Sequence, residues 1–319
     1  VKNLPADVLS LVPCHFLVED GRITAFGHGQ CFRIPYRHRI GELIPQSLNS
    51  DAIDFADALF GRESFWAGRV FFEDAKPLGE LETLSTAAAH PQMQPNPTSY
   101  QLYLKQDSAK LKHWDSDGAQ LRGYKMYWHR RMADWKASDE EIALDKDKPS
   151  DKKLTRELTP LRQNSRFQSK IRFRNLNAIE LGALLMIFDL NGATNAAYKL
   201  GKGKPFGFGS IKVESQLFLE DASTYFDPID DDGWREPLRA ADAKKYLDDF
   251  RNYIRSNKLQ AEWQNVMKEL NAVLNWEQTK QKGWNEKIAS MSGNVMEKDS
   301  VDQRFKDRAP LPTVFEVVR

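Results

Sequence analysis

The chain of 319 residues is 41% hydrophobic and 29% charged, and its formal net charge is +1. This composition predicts a soluble globular protein with a substantial core. No apolar run approaches the 18 or so residues of a membrane-spanning helix, and no basic region followed by an apolar stretch marks a signal peptide.

The N-terminal third predicts short strands around one helix. The stretch HFLVEDGRITAFG has a Glu-Asp-Gly turn between two β-rich runs, which indicates a hairpin. In FRIPYRHRIGELIP, a strand ends at Pro35 and a short helical turn follows. SDAIDFADALFG predicts a helix that Ser50 or Asp51 caps and Gly61 ends. AGRVFFEDA and YQLYL predict strands, the first of them buried, and residues 85–99 between them predict a loop.

The middle of the chain contains the clearest periodic segments. QLRGYKMYWHR alternates in the way of a strand, and in RFQSKIRFR the residues Phe167, Ile171 and Phe173 fall on one face, which predicts a core face. The opposite face is a basic stripe formed by Arg166, Gln168, Lys170, Arg172 and Arg174. The helix AIELGALLMIFDL, capped by Asn175 or Asn177, is apolar nearly all round and is predicted to be buried. A glycine-rich loop and the strand SIKVESQLFL follow.

Charge is unevenly distributed along the chain. Eight basic residues and one acid occupy 152–174, whereas acidic residues dominate 220–249. A basic surface beside an acidic one favours a polyanion ligand inside an assembly, with an ordinary solvated surface as the alternative. Residues 136–153 predict a polar surface loop, and residues 237–276 predict an amphipathic helical region whose aromatic residues form core. The C-terminal TVFEVV predicts a short strand.

The loop KLGKGKPFGFG contains four glycines. A dinucleotide-binding fingerprint requires G-x-G-x-x-G between a strand and the N-terminus of a helix, whereas this loop leaves a helix and enters a strand. A nucleotide cofactor is therefore not expected. The lysines around the glycines, with two phenylalanines that can stack on bases, favour a single-stranded nucleic-acid backbone running past the loop. The alternative is a turn that only packs well.

Taken together, these segments resemble the RAMP superfamily of CRISPR-associated proteins, the RNA-binding backbone subunits of type III effector complexes. The resemblance rests on FRIPYRHRIGELIP, DALFG followed by GRVFFEDA, RGYKMYWHR, SRFQSKIRFRNLNAIELGALLMIFDL and KLGKGKPFGFGSIKV, over roughly residues 20–220. The pairing of NL…ELGALL with a glycine-rich loop at this distance is the specific part. The large RAMP subfamily, to which the last RAMP module of fused single-chain type III effectors belongs, is the most similar group.

The resemblance implies an α+β, ferredoxin-like fold with insertions over residues 1–235 and a C-terminal helical region over 236–319. It implies guide RNA, target RNA and other RAMP subunits as partners, no membrane, and a cytoplasmic ribonucleoprotein acting in antiviral defence. The opening strand and helix start of a RAMP module are not found ahead of Val1, so the chain resembles the second part of such a module. Because the target-cleaving aspartates of the family lie near that opening region, the chain itself is expected to be non-catalytic within an RNA-cleaving complex.

The residues expected to contact RNA are basic, aromatic or glycine residues on the matching segments. They are Arg33, Tyr36, Arg37, His38, Arg39, Arg122, Lys125, His129, Arg162, Arg166, Lys170, Arg172, Lys202, Gly203, Lys204, Phe206, Gly207 and Phe208. Tyr36 is expected either to stack or to pack. Any side chain at Gly203 or Gly207, both expected at positive φ, is expected to push the loop back from RNA. One of the two phenylalanines is expected to face RNA and the other to enter the core.

Other chemistry has little support in the sequence. Cys14 and Cys31 provide neither a disulfide framework nor a metal site and favour a reducing cytosol. The histidines are not paired at ligand spacing and the acidic run at 230–232 is expected to be solvated, so no metal or cofactor is predicted. Two alternatives to a non-catalytic RNA-binding subunit remain: an endoribonuclease that cuts precursor or target RNA, and a protein-interaction module built on the helical region 237–276.

Overall fold

In the computed structural model, the described part of the chain comprises ten segments. They are residues 14–29, 31–32, 34–48, 51–92, 98–106, 110–131, 135–149, 153–220, 238–289 and 303–319. Within them the protein is a mixed α+β structure with small antiparallel sheets and several helices. The predicted α+β class is confirmed at this level.

The strands in these segments are short, and each pairs antiparallel with one other strand. They are β1 (His15–Glu19), β2 (Arg22–Gly27), β3 (Gly61–Arg62), β4 (Trp66–Ala67), β5 (Val70–Phe72), β6 (Lys76–Pro77), β7 (Ala87–Ala89), β8 (Arg156–Leu158), β9 (Phe167–Gln168), β10 (Ile171–Phe173), β11 (Tyr198–Lys199), β12 (Ser210–Ile211), β13 (Phe218–Glu220) and β14 (Leu238–Ala240). The pairs are β1–β2, β3–β4, β5–β10, β6–β9, β7–β8, β11–β12 and β13–β14.

The helices range from four to fifteen residues in the same segments. They are α1 (Phe55–Phe60), α2 (Asp139–Ala143), α3 (Ala178–Asp189), α4 (Ala243–Ser256), α5 (Gln260–Leu274), α6 (Trp284–Lys287), α7 (Gln303–Lys306) and α8 (Val314–Val318). None of the helices in the described part of the chain has the length and hydropathy needed to cross a lipid bilayer.

The chain divides into two compact units. Unit 1 comprises Val1–Ser50, Asn96–Tyr124 and Asp307–Leu311, and unit 2 comprises Asp51–Pro95, Lys125–Lys306 and Pro312–Arg319. The boundary predicted between residues 235 and 236 lies outside the described residues and stays a prediction.

Unit 1 contains the predicted hairpin and a small core. β1 and β2 pair around Asp20 and Gly21, whose φ angles of +51° and +77° suit a tight hairpin turn. The predicted helical turn after Pro35 is confirmed as a 3₁₀ turn at Ile40–Leu43. The core of the unit is formed by Leu43, Leu104, Trp114 and Ala119.

Unit 2 contains α3, whose ends follow from local chemistry. The Asn177 side chain accepts a hydrogen bond from the Glu180 N–H, and the Glu180 carboxylate accepts one from the Asn177 N–H, both at 2.9 Å. Of the two predicted caps, Asn177 is therefore the one used. The helix ends at Asp189, and the capping residue Leu190 adopts a left-handed φ of +46°.

Two layers of apolar residues surround α3. One side packs against α1 and the β5–β10 sheet through Leu59, Val70 and Leu184. The other side packs against α4, where Leu247, Phe250 and Ile254 recur at helical spacing, and a Cβ at Gly182 would lie 2.1 Å from the Tyr246 carbonyl oxygen. The helical region predicted at 237–276 is confirmed as α4 and α5, and the apolar side of α4 is used for packing inside unit 2.

Several predicted elements are wrong. YQLYL forms a 3₁₀ turn at Tyr100–Leu102, and TVFEVV forms α8, because a capping box between Thr313 and Glu316 favours a helix over the β propensity of its valines. QLRGYKMYWHR, at residues 120–130, forms no strand and contributes only an isolated bridge between Leu121 and Leu104. The loops predicted at 85–99 and 136–153 contain β7 and α2.

Candidate nucleic-acid interface

The predicted RNA-contacting residues fall in both units. Arg33 lies outside the described residues. Unit 1 holds Tyr36, Arg37, His38, Arg39 and Arg122, and the other twelve belong to unit 2. Most of these twelve lie in two places, the turn between β11 and β12 and the segment that contains β9 and β10.

In unit 1, the segment at 36–39 begins with a tyrosine that packs on the protein. The Tyr36 ring meets the His113 ring edge-on, with 5.2 Å between their centroids. The Arg37 backbone N–H donates to the Asp115 carboxylate at 2.7 Å, which ties the same segment to residues 113–115. The Tyr36 ring therefore packs on the protein, while the side chain stays 39% exposed and stacking on RNA stays a prediction.

The remaining unit 1 residues differ in how much their charge is compensated. The His38 imidazole lies 3.2 Å from the Glu42 carboxylate, and both side chains are exposed. Arg39 is exposed just before the 3₁₀ turn. The Arg122 guanidinium donates to the Leu311 carbonyl oxygen, so at least part of this side chain is engaged within unit 1.

In unit 2, the glycine loop (residues 200–209) is a closed turn between β11 and β12. The Leu200 N–H donates to the Gly209 carbonyl oxygen at 2.8 Å, which joins the two ends of the loop. A 3₁₀ turn at Lys204–Phe206 lies between them. The loop is therefore fixed by its own backbone hydrogen bonds.

Two of the predicted glycines adopt the backbone geometry expected of them. Gly203 has a φ of +68° and Gly207 a φ of +99°, which confirms the predicted positive φ. A Cβ added at Gly207 would lie 3.0 Å from the carbonyl oxygens of Arg130 and Arg131. The close approach at Gly207 is thus to the protein's own backbone, whereas the sequence predicted an approach to RNA.

His129 lies beneath the loop and is enclosed by protein. Its Nε2 lies 2.8 Å from the Ala197 carbonyl oxygen, its Nδ1 lies 2.9 Å from the Ser210 hydroxyl, and its ring meets Trp276 edge-on. Burial lowers the pKa of the imidazole, and the residue is 1% exposed. His129 therefore supports β11 and β12 from inside and is not a surface contact for a ligand.

A group of positive charges surrounds the glycine loop, and we call it the loop cation cluster. It consists of Arg130, Lys199, Lys202 and Lys204. The Lys199 ammonium donates to the Phe208 carbonyl oxygen at 2.9 Å, and the Arg130 guanidinium donates to the Pro205 carbonyl oxygen at 3.1 Å. The Lys204 ammonium donates to the Gly201 carbonyl oxygen at 2.7 Å, so three of the four cations are fixed by the loop backbone itself.

The electrostatics of the loop cation cluster are unfavourable in the free protein. Burial lowers the pKa of Lys199 to about 8, and the charges of Arg130 and Lys204 act in the same direction. Burial also lowers the pKa of Arg130, which Glu286 offsets in part. Among the described residues, no salt bridge joins a member of the cluster to a carboxylate, and the buried Nε of Arg130 has no hydrogen-bond partner.

The two phenylalanines of the loop are both half-buried. The Phe206 ring lies 6.5 Å from the His90 ring, and the Phe208 ring lies 5.5 Å from the Trp135 ring, edge-on. The predicted division into one outward and one core phenylalanine is therefore not seen in the exposure of the two rings.

A tyrosine extends the cationic surface of the loop. The Lys125 ammonium lies 5.0 Å from the centre of the Tyr127 ring, and the Lys204 ammonium lies 6.0 Å from the same centre. Cation–π attraction of this kind holds two mobile side chains near one ring. Lys125 is exposed, in agreement with a surface role.

The second predicted surface is the basic stripe on β9, β10 and the residues around them. Ile171 and Phe173 contribute to the core, whereas Lys170, Arg172 and Arg174 are exposed, as their alternation predicts. Phe167, predicted on the core face, is 42% exposed.

Acidic side chains compensate part of this stripe. The Arg172 guanidinium forms a salt bridge with Glu73, and Arg162 lies 3.4 Å from Glu82. Arg166 is exposed and forms no salt bridge with the described acids. The stripe therefore has less net charge than its sequence indicates.

Sequence reasoning missed two contributors to these surfaces. Arg130 follows His129 in an alternating run, and only the fold shows that it reaches the glycine loop. Phe71 belongs to an apolar run that predicts a buried strand, yet it is 45% exposed on β5. In both cases other arginines lie nearby in the sequence, and this basic context is the signal that could have indicated a binding surface.

Among the described residues, no three His, Cys, Asp or Glu side chains come together in a way that could hold a metal ion. No family model matches the sequence, and no curated protein is significantly similar to it.

Proposed function

We propose that this chain binds single-stranded guide RNA as a backbone subunit or segment of a type III CRISPR ribonucleoprotein that targets RNA in antiviral defence. The loop cation cluster is the observation that carries the proposal. These positive charges are held together in a partly desolvated place and form no salt bridge with a carboxylate among the described residues. Glu286 offsets the charge of Arg130 only in part, so the cluster destabilises the free protein. A phosphate chain removes that cost by supplying the missing negative charge.

The resemblance to RAMP proteins supports the same proposal and makes it more specific. A strand, a helix and then the glycine loop follow one another as β10, α3 and the turn between β11 and β12, with β11 standing between the helix and the loop. The β5–β10 pair packs on α3, as the sheet of a ferredoxin-like fold packs on its helices. We include the ferredoxin-like arrangement, target RNA and neighbouring RAMP subunits in the proposal, with no cleavage by this chain.

Charge reversal in the loop tests the proposal directly. The variant Lys202→Glu/Lys204→Glu should bind a single-stranded RNA 30-mer at least tenfold more weakly than the wild type in fluorescence anisotropy. Its affinity should also depend less on salt, by a slope of about 0.7 per lost phosphate contact. The matched control is Lys244→Glu/Lys245→Glu in the first turn of α4, which changes the net charge equally at a place where acids suit the helix. Equal affinity in the two folded variants would contradict the proposal.

An endoribonuclease is the second candidate, and one contact favours it. His90 lies 2.7 Å from Glu141, its side chain is about one-third exposed, and its ring faces Phe206 of the glycine loop. An imidazole oriented by a carboxylate is an arrangement used for general base catalysis. Incubation of the chain with labelled RNA in the presence of a chelator tests it: cleavage that His90→Ala abolishes would support this candidate over the non-catalytic one.

A further inference from the structure

The β5–β10 sheet has two unlike faces. Val70 and Phe173 are paired across the strands, and both contribute to the core with Leu59 and Leu184. Because side chains alternate along a strand, the next pair, Phe71 and Arg172, lies on the opposite face. This face, which we call the outer sheet face, is turned away from α3.

The outer sheet face combines one aromatic ring with several cations. Phe71 is 45% exposed, and the Arg174 guanidinium lies 5.3 Å from the centre of its ring. Lys170, Arg172 and Arg174 share the face because they alternate along the strand direction. Glu73 compensates Arg172 alone, so positive charge remains beside the ring.

The exposed ring and the cations beside it together define the chemistry of a ligand that fits this face. An aromatic side chain at the surface leaves apolar area in water, and its neighbours here attract negative charge. A nucleotide complements both the ring and the cations, because its base can stack on the ring while its phosphates contact the cations. A neutral apolar partner would bury the cations without compensating them.

We propose that Phe71 is a stacking site for a base of single-stranded RNA, with Lys170 and Arg174 binding the flanking phosphates. This inference rests on the proposed function, since it places part of the same RNA on a second surface of unit 2. The sheet uses its inner face for the core and its outer face for the ligand. The cations of the outer sheet face favour an anionic occupant, and the exposed ring favours one that carries bases.

A second exposed phenylalanine provides a matched control. Phe65 is 68% exposed, and the Arg62 guanidinium lies 5.6 Å from the centre of its ring. Arg62, however, forms a salt bridge with Asp57 and donates to backbone carbonyl oxygens. Phe65 therefore has a similar exposed ring and a similar arginine, but no free positive charge is left there for a phosphate.

The experiment compares leucine variants by fluorescence anisotropy with a single-stranded RNA 30-mer. Phe71→Leu keeps an apolar side chain and removes the ring, so the affinity should fall roughly tenfold with an unchanged salt slope, as expected for one lost base stack. Phe71→Trp should restore the affinity, and Phe65→Leu should leave it unchanged. Wild-type affinity in a folded Phe71→Leu variant, or an equal loss in Phe65→Leu, would overturn the stacking site.

Two further measurements keep the result decisive. If Phe71→Leu does not fold, Arg174→Gln replaces it: a loss of affinity with a salt slope lower by about 0.7 supports the site, and no change overturns it. This inference and the proposed function can fail separately. The proposed function predicts weaker RNA binding in the Lys202→Glu/Lys204→Glu variant, whereas the stacking site predicts it in Phe71→Leu. A loss in the former, with none in Phe71→Leu, rejects only the stacking site, whereas a wild-type chain that binds no RNA rejects both.

Discussion

The glycine loop and the outer sheet face contain the same kinds of residue, lysines or arginines next to phenylalanines, in two different settings. In the loop, the chain closes on itself, so Lys199 and Arg130 are half-buried and donate to backbone carbonyl oxygens. On the sheet, strand geometry directs Lys170 and Arg174 into solvent. Burial lowers the pKa of the loop lysine, whereas water stabilises the charges on the sheet.

This difference predicts different contributions to RNA binding. A cation that is already positioned and partly desolvated loses little on binding and meets a phosphate at a lower effective dielectric constant. An exposed cation must lose side-chain freedom, and salt screens its interaction. We therefore expect the loop to contribute more affinity per residue than the sheet, at the expense of stability in the free protein.

The largest expected effect concerns the closed geometry of the loop. Gly207→Ala should lower the free energy of unfolding by about 1–3 kcal/mol, because alanine is strained at a φ of +99° and its Cβ would crowd two carbonyl oxygens. Urea denaturation followed by circular dichroism measures this change. A loss of RNA affinity without a loss of stability would show that the loop approaches RNA at this position instead.

A second glycine separates strain from crowding. Gly192 has a φ of +81°, but a Cβ there would meet no atom within 4 Å. Gly192→Ala should therefore show the strain alone, at roughly 1 kcal/mol. If the two alanine variants lose the same stability, the carbonyl contacts at Gly207 have no energetic role.

An intermediate effect is expected from the titration of Lys199. Its pKa of about 8 means that the free protein loses this charge between pH 7 and pH 9. RNA affinity should fall by up to about tenfold over that interval as the charge must be restored by proton uptake. Lys199→Met should bind more weakly at pH 7 and should lack this pH dependence. If the RNA affinities of the wild type and Lys199→Met change with pH in parallel, the pH dependence does not come from Lys199.

The same group predicts how stability depends on pH. The unfolded chain holds the Lys199 proton up to the ordinary lysine range near 10.5, whereas the folded chain releases it near 8. The unfolded state therefore binds more protons between these values, and the free energy of unfolding should rise with pH across this window. Lys199→Met should be more stable than the wild type at pH 7 and should lack that rise.

The smallest expected effect tests the sheet. Glu73→Gln removes the carboxylate that compensates Arg172 on the outer sheet face. RNA affinity should rise roughly two- to fivefold at low salt, since an exposed pair contributes little and the freed guanidinium gains a phosphate contact. The gain should vanish in high salt. No gain at low salt would exclude Arg172 from the RNA path.

The elements that the sequence predicted correctly are those determined by residues close together in the chain. α3 follows from its apolar run and the asparagine cap, the hairpin from its turn, and the positive φ values in the loop from its glycines. The tail TVFEVV was mispredicted because residue type suggested a strand, whereas one capping box determines a helix. In these segments, hydrogen-bonding side chains outweighed propensity.

The site was harder to predict because it depends on contacts distant in sequence. Arg130 reaches a carbonyl 75 residues away, and His129 is buried by residues 68 and 81 positions along the chain. Asp145 stands in a stretch predicted to be a solvated loop, yet it is buried and accepts hydrogen bonds from Thr155 and Leu154. Spacing in one sequence carries no information about such pairs.

Photo-crosslinking tests the central claim, that RNA lies against the loop cation cluster, most directly. The chain would be bound to single-stranded RNA containing 4-thiouridine, irradiated, digested and analysed by mass spectrometry. The account predicts crosslinked peptides that cover residues 199–208 and that weaken in the Lys202→Glu/Lys204→Glu variant. Crosslinks confined to other segments of a chain that binds RNA would contradict it.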